Sequence, residues 1–144
     1  MVPDLQPFSN ETAWGIPSGL SPVEPSDDGT AVNITNQSRT GTAVVTLIKT
    51  GGGALYTLDV DVQTRLTGAR ALVTLTCQTQ AGGVLSELTA GTSGERVNDV
   101  LHHQSAIFCP SDTDQVRITL RNLGNGDMTF ISPSLRRIPI PDRP

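Results

Sequence analysis

Hydrophobic and polar positions alternate along most of the chain beyond residue 30. Between Tyr56 and Val62 every second residue is apolar, and Asp59 and Asp61 occupy two of the positions between them. The segment Ala69–Thr79 repeats the pattern, with every odd-numbered residue from 71 to 77 apolar or cysteine. Successive side chains of a strand point to opposite faces, so the pattern is typical of strands with one buried and one solvated face.

Turn residues separate these alternating segments. Glycine-rich or Asn/Asp-rich stretches such as Thr50–Gly53, Gly91–Gly94 and Asn122–Gly126 stand between them, and such residues favour tight turns. The predicted strands are Thr30–Thr35, Thr42–Ile48, Ala54–Gln63, Ala69–Thr79, Gly83–Leu88, Glu95–Leu101, Gln104–Cys109, Asp114–Arg121 and Asp127–Leu135. Many short strands at this spacing predict an all-β fold, an antiparallel jelly-roll β-sandwich.

The first 29 residues have a different composition from the rest. They hold five of the chain's ten prolines and show no alternation. Prolines at this density disfavour helices and central strands. The sequence therefore predicts an extended proline-rich N-terminal arm over residues 1–29, a sandwich over residues 30–138 and an extended C-terminal tail over residues 139–144.

The predicted arm also contains large apolar residues, which pure linkers avoid. Two interpretations fit Leu5, Phe8, Trp14 and Ile16. In one, these four residues anchor the arm on a partner protein, in the manner of interface hot spots. In the other, Trp14 folds back onto the sandwich of its own chain.

Charge and hydropathy narrow the range of partners. The net charge of −4 and the pI of about 4.9 are unlike those of nucleic-acid-binding domains, so no nucleic-acid partner is expected. No apolar run approaches the roughly 20 residues that cross a membrane. The first residues lack the features of a secretory signal, which predicts synthesis and folding in a cytoplasm. In that compartment Cys77 and Cys109 are expected to be buried, reduced core residues.

The sequence contains no constellation that predicts catalysis, a metal site or a cofactor. His102 and His103 are adjacent, so on a regular strand they point to opposite faces and cannot bind one metal. Ser105 lies near His103 but without a nucleophile elbow. Asp59 and Asp61 share the predicted solvated face. An ordinary polar surface explains them more simply than a catalytic carboxylate pair does. We therefore expect a non-enzymatic protein.

Aromatic residues are few, at 3% of the chain. Tyr56, Phe108 and Phe130 occupy predicted inward or corner positions, which leaves Phe8 and Trp14 as the free rings. Sugar platforms usually use exposed rings. This scarcity weighs against a lectin that depends on aromatic stacking.

The order of strands resembles that of carbohydrate-binding-module-like jelly rolls, over roughly residues 40 to 138. The segments that carry the resemblance are Tyr56–Val62, Val73–Gln80, Phe108–Pro110, Val116–Leu120 and Phe130–Arg136. The sequence departs from the family in having one residue, not two, between Phe108 and Pro110. It also has Ser132 and Ser134 where the family often has aspartates beside a structural cation, so the resemblance implies no calcium here.

The same architecture occurs in the capsid decoration, or cement, proteins of tailed bacteriophages, which this short chain with its predicted arm also resembles. That resemblance implies a virion structural protein on the capsid surface, a trimer that bridges neighbouring copies of the major capsid protein. The alternative is a carbohydrate-binding module that recognises cell-surface or polysaccharide glycans. The two hypotheses differ in what the N-terminal residues contact.

Overall fold

In a computed structural model, the structure describes residues 5–10, 13–15, 23–36, 41–64, 70–93, 99–124 and 126–139. The regular elements of this part of the chain are all strands. They are β1 (Val23–Pro25), β2 (Ala31–Asn36), β3 (Thr42–Lys49), β4 (Ala54–Thr64), β5 (Arg70–Gln78), β6 (Val84–Ser93), β7 (Val100–Cys109), β8 (Gln115–Asn122) and β9 (Gly126–Pro139).

The strands form two antiparallel sheets that pack as a sandwich, which confirms the predicted fold class. The first sheet has the order β1-β2-β9-β4-β7, and the second has the order β3-β8-β5-β6. The inward faces of both sheets supply a core that contains Tyr56, Leu58, Leu75, Ile118 and Phe130, all fully buried. The period-two pattern predicted these faces correctly, because a one-residue shift would expose the whole apolar set.

Several elements differ from the prediction. Strand β6 continues to Ser93, beyond the predicted end at Leu88 and into the predicted turn Gly91–Gly94. Strand β7 is continuous through His102 and His103, where two strands were expected; residues 94–98 of the predicted Glu95–Leu101 lie outside the described residues. Strand β9 continues to Pro139, beyond the predicted end at Leu135, with Ile138 opposite Leu55 of β4; residues 140–144 of the predicted tail lie outside the described residues. Strand β1 was not predicted, since prolines mask its pattern. As an edge strand it tolerates Pro25 at its end.

The described part of the N-terminal segment packs on its own sandwich, and this corrects two of the four predicted partner anchors, Phe8 and Trp14. Phe8 is 1% exposed and Trp14 is 0% exposed, and their ring centroids lie 4.6 Å apart within the core. The indole Nε1 of Trp14 donates a hydrogen bond of 2.7 Å to the carbonyl oxygen of Gln6. Leu5 is partly buried against the same core, and Ile16 lies outside the described residues.

This segment closes one open side of the sandwich. The backbone N–H of Phe8 donates to the carbonyl of Gly29, in the turn between β1 and β2 of the first sheet, at 2.9 Å. The N–H of Val45, on edge strand β3 of the second sheet, donates to the carbonyl of Trp14 at 3.2 Å. We call residues 5–10 and 13–15 the N-terminal plug, because they contact both sheets and bury two aromatic rings between them.

A disulfide bond closes the opposite side. Cys77 on β5 and Cys109 on β7 are joined, with their Cα atoms 5.5 Å apart. This corrects the expectation of two reduced thiols. Alternation sends both side chains inward from facing sheets, and that Cα separation suits a disulfide. The two sheets are thus covalently linked where β6 packs near β7.

Candidate functional site

A groove of about 310 Å³ lies on the outer face of the second sheet. Its walls and floor come from strands β8, β5 and β6. The lining residues are Leu72, Thr74, Thr76, Glu87, Thr89, Arg117, Thr119 and Arg121. We call it the threonine groove, because half of these residues are threonines.

Strand register arranges the lining into three cross-strand rows. The first row is Arg121, Leu72 and Gly91; the second is Thr119, Thr74 and Thr89; the third is Arg117, Thr76 and Glu87. Each row takes one residue from β8, one from β5 and one from β6. All of these positions lie on the outer face of the sheet, because the alternate residues of β5 and β8 fill the core. Thr76 and Thr119 are largely covered there, at 2% and 7% exposure, whereas Glu87, Thr89 and Arg117 are exposed. Gly91 places no side chain at its end of the first row.

Hydroxyl groups form the middle of the groove. The Oγ1 atoms of Thr74 and Thr89 lie 3.0 Å apart, within hydrogen-bonding distance. The Oγ1 of Thr76 donates to Oε2 of Glu87 at 3.1 Å. A hydroxyl both donates and accepts hydrogen bonds, so this row of threonines presents both functions on a rigid backbone.

Arginines lie on either side of this hydroxyl row, both at its β8 end. Arg117 and Arg121 are four residues apart on β8, so their Cα atoms are separated by about 13 Å along the strand. Neither guanidinium forms an ion pair with a carboxylate in the part of the chain that the structure describes. Past the Arg117 end, Lys49 of β3 hydrogen-bonds through Nζ to the side-chain oxygen of Gln115, which in turn donates to Gln78 at 2.8 Å.

The three predicted anchor residues that the structure describes, Leu5, Phe8 and Trp14, do not line the threonine groove. Leu5 and Phe8 border a separate shallow pocket with Pro7 and Gly29, Trp14 lies in the core, and Ile16 is outside the described residues. Sequence reasoning missed Arg117 and Arg121. The alternation of β8 shows that both face solvent, but the neighbouring strands that complete the groove are not adjacent in sequence.

Of the three aromatic residues at predicted inward or corner positions, one is placed differently from the prediction, and Phe8 and Trp14, predicted to be free, are buried. Tyr56 and Phe130 are buried as expected, whereas Phe108 is 50% exposed on the outer face of the first sheet. It lies opposite Leu55, which in turn pairs with Ile138. Only one of the two adjacent residues at the end of β7 can point inward, and Cys109 takes that position because of its disulfide.

His102 and His103 point to opposite faces of β7, as predicted. On the outer face, His102 Nδ1 lies 2.8 Å from Asp61 Oδ1 and its Nε2 lies 3.0 Å from Asp59 Oδ1. These hydrogen bonds, to Asp61 first and then to Asp59, raise the pKa of His102 above its usual 6.5. An imidazolium donates from both nitrogens and so satisfies both carboxylates.

The inward His103 has the opposite electrostatics. Its Nδ1 lies 2.8 Å from the hydroxyl of Thr92, and its buried Nε2 has no hydrogen-bond partner among the described residues. Burial first, and the neighbouring charge of His102 second, lower the pKa of His103. The described residues contain no group of three or more His, Cys, Asp or Glu side chains arranged to hold a metal ion. Nor do they include a helix long and apolar enough to span a membrane.

No family model matches the sequence, and no curated protein matches it at a significant level. The fold, however, matches solved carbohydrate-binding modules. A family 16 carbohydrate-binding module is 11% identical with a TM-score of 0.60, and the match covers 85% of this chain and 90% of that one. The module TmCBM61, in complex with β-1,4-galactotriose, is 15% identical with a TM-score of 0.55, covering 95% and 87% of the two chains.

Larger proteins contain the same fold as one part. The enzymatically active domain of tailspike protein 4 of bacteriophage CBA120 is 14% identical with a TM-score of 0.66, over 91% of this chain and 20% of that one. An arabinose-bound α-L-arabinofuranosidase is 17% identical with a TM-score of 0.58, over 95% of this chain and 25% of that one. The present chain thus spans only a fifth to a quarter of these two proteins. At such identities the likeness establishes the jelly-roll-like fold of carbohydrate-binding modules.

Proposed function

We propose that this protein is a non-catalytic carbohydrate-binding module and that its threonine groove binds the glycan. The observation that carries the proposal is an open groove, lined by hydroxyl and guanidinium groups, on one outer face of a fold that carbohydrate-binding modules also use. The fold alone assigns no function, so the proposal depends on the chemistry of the groove.

The lining suits a saccharide. Sugar hydroxyls need partners that donate and accept, and Thr74, Thr89 and Thr119 supply such groups in one row. Leu72 adds an apolar surface for the C–H face of a ring. The volume of about 310 Å³ lies at the lower end of the usual range for small-molecule sites. Because the groove is open, a few sugar residues of a longer chain fit without the polymer having to end there.

The proposed absence of catalysis rests on the same lining. Glycosidases commonly use two carboxyl groups on either side of the scissile bond. Among the described residues that line the threonine groove, Glu87 is the single carboxylate, and it accepts a hydrogen bond from Thr76. Arg and Thr residues bind and orient a glycan without cleaving it.

The disulfide adds support of another kind. Disulfides persist in oxidising compartments and are rare in reducing cytosol. A Cys77–Cys109 bond therefore favours a protein that works outside a reducing cytoplasm, where polysaccharides and cell-surface glycans are found.

Capsid decoration, with the major capsid protein as partner and a trimer as assembly, stays an untested prediction. Two of its four anchors, Phe8 and Trp14, pack inside this chain and so are not available to a capsid. Co-sedimentation with purified capsids, at full occupancy and without glycan binding, would restore it.

The proposal is tested by affinity electrophoresis through gels that contain a panel of neutral and acidic polysaccharides. The double variant Thr74→Val/Thr89→Val removes two groove hydroxyls without changing side-chain shape. If each forms a hydrogen bond to the ligand, binding weakens by about 5- to 100-fold. The matched control is Thr35→Val/Thr129→Val, which removes two hydroxyls from the outer face of the first sheet. A protein that no polysaccharide in the panel retards, or equal losses in both double variants, would refute the proposal.

A further inference from the structure

We propose that the ligand of the threonine groove is an acidic polysaccharide whose carboxylates are bound by Arg117 and Arg121. This inference rests on the proposed function and specifies the class of glycan. It is carried by the distribution of charge between the two sheets and by the geometry of the two guanidinium groups.

Charge is segregated between the two outer faces. The second sheet has four cationic residues and a single carboxylate within the described strands β3, β5, β6 and β8. They are Lys49, Arg70, Arg117, Arg121 and Glu87. The described strands of the first sheet instead have four acidic residues against two arginines and His102: Glu24, Asp59, Asp61, Asp127, Arg136 and Arg137. In a protein with a net charge of −4, one face is thus locally basic.

Such a surface attracts an anionic polymer, because the described strands of this sheet carry one carboxylate, Glu87, and most carboxylates lie on the other sheet. The guanidinium group presents a planar fork of N–H donors that matches a carboxylate in a bidentate pair. Neutral glycans would gain nothing from two such groups beyond ordinary hydrogen bonds.

The spacing of the arginines suits two carboxylates of one polymer chain. Arg117 and Arg121 flank the central hydroxyl row at a separation of about 13 Å between their Cα atoms. Two carboxylates on different sugars of one chain can each pair with one arginine, while the hydroxyl groups of the intervening sugar face Thr119, Thr74 and Thr89.

Arg121 is held in place before any ligand binds. It is half-buried, and a Cβ placed at Gly41 would come within 3.0 Å of its Cγ and Cδ atoms. Gly41 therefore leaves the space in which the aliphatic part of Arg121 lies. A side chain already restricted in this way loses less entropy on binding.

Polygalacturonate is the probe that tests this inference, compared with its fully methyl-esterified form, which has the same backbone without charge. Isothermal titration calorimetry measures wild type, Arg117→Gln/Arg121→Gln and the control Arg136→Gln/Arg137→Gln, which changes the net charge equally on the first sheet. We expect polygalacturonate to bind at least 10-fold more tightly than the ester. The groove variant should lose 10-fold or more of that affinity, and the control less than 2-fold.

A second variant, Glu87→Gln, removes a carboxylate from the groove lining and should strengthen polygalacturonate binding by about 2- to 10-fold. Equal affinity for acid and ester, equal losses in the two arginine variants, or binding only to dextran sulfate would overturn the inference. Tight binding of a neutral glycan that is sensitive to Thr74→Val/Thr89→Val would overturn this inference but leave the proposed function intact. A protein that binds no polysaccharide refutes both.

Discussion

Gly29 allows the N-terminal plug to approach the first sheet. Its φ of +74° lies in the left-handed region, and a Cβ there would come 2.6 Å from Ser9 Oγ and 2.7 Å from Pro7 Cβ. A glycine is therefore required twice, for the backbone conformation and for the close contact.

Substitution of this glycine should destabilise the protein in two separable ways. Gly53 has a similar φ of +71° but open space around its Cβ position, so Gly53→Ala measures the conformational cost alone, about 1–2 kcal/mol. Gly29→Ala should exceed that by about 1–3 kcal/mol, because the plug must move. Urea unfolding gives both values, and equal losses would contradict the contact. The single tryptophan, Trp14, reports the movement as a red shift of its fluorescence in Gly29→Ala.

The pKa of His102 should lie above the usual 6.5, and the pKa of His103 should lie below it. NMR of the ring protons as a function of pH measures both values. The raised pKa of His102 means that its interactions stabilise the fold below pH 6.5 and that this stabilisation is lost as the pH rises through the folded-state pKa. The lowered pKa of His103 has the reverse consequence: stability falls as the pH drops below 6.5, because the unfolded state binds the proton more readily.

Variants assign each effect to its residue. His102→Gln should weaken the protein mainly at low pH, and His103→Gln should reduce the loss of stability on acidification. Two histidines with the same pKa would contradict the placement of one on the outer face and one between the sheets.

At the scale of elements, alternation predicted strands well wherever one face is buried and one is solvated. β4, β5 and β8 are such strands. It failed at the N-terminus, where Phe8 and Trp14 are buried by contacts with residues distant in sequence and no local pattern marks them. The pattern also assigned Phe108 to the wrong face. Phe108 and Cys109 are both apolar, and only the disulfide with Cys77 determines that Cys109 is the one that points inward.

The N-terminal plug is part of the core, so the loss of one of its buried rings should lower the free energy of unfolding. Phe8→Ala leaves a cavity at a fully buried site and should lower the free energy of unfolding by about 3–5 kcal/mol. The matched control is Phe108→Ala, the same substitution at a ring that is 50% exposed, for which we expect less than about 1.5 kcal/mol. Chemical denaturation distinguishes them. Similar small losses in both would mean that the N-terminal segment is a free arm.

For the whole molecule, the disulfide and the plug hold the two sheets together from opposite sides. Cys77 and Cys109 are 32 residues apart in the sequence. A disulfide that closes a loop of this length lowers the entropy of the unfolded chain and so stabilises the fold by about 3–4 kcal/mol. The double variant Cys77→Ala/Cys109→Ala should lose that much stability, and reducing agent should bring the wild type close to the same value. An intact mass with two free thiols under non-reducing conditions would show the bond to be absent.

The candidate site also belongs to the whole molecule, which explains why the sequence did not predict it. Alternation places Arg117, Thr119 and Arg121 on the solvated face of one strand. Their partners Thr74 and Thr89 come from strands that precede β8 by some 25 to 45 residues and join it only through the order β8-β5-β6. The segregation of charge likewise becomes visible only when the strands are sorted into two sheets.

The most direct test of the glycan-binding groove is a two-dimensional ¹H–¹⁵N NMR titration of the labelled protein with oligogalacturonate. The account predicts chemical-shift changes concentrated on the outward residues of β5, β6 and β8, with saturation and with the largest changes near Arg117, Thr119 and Arg121. Changes concentrated instead around Phe108, Leu55 and Ile138, on the outer face of the first sheet, would contradict it, as would a spectrum that oligogalacturonate leaves unchanged.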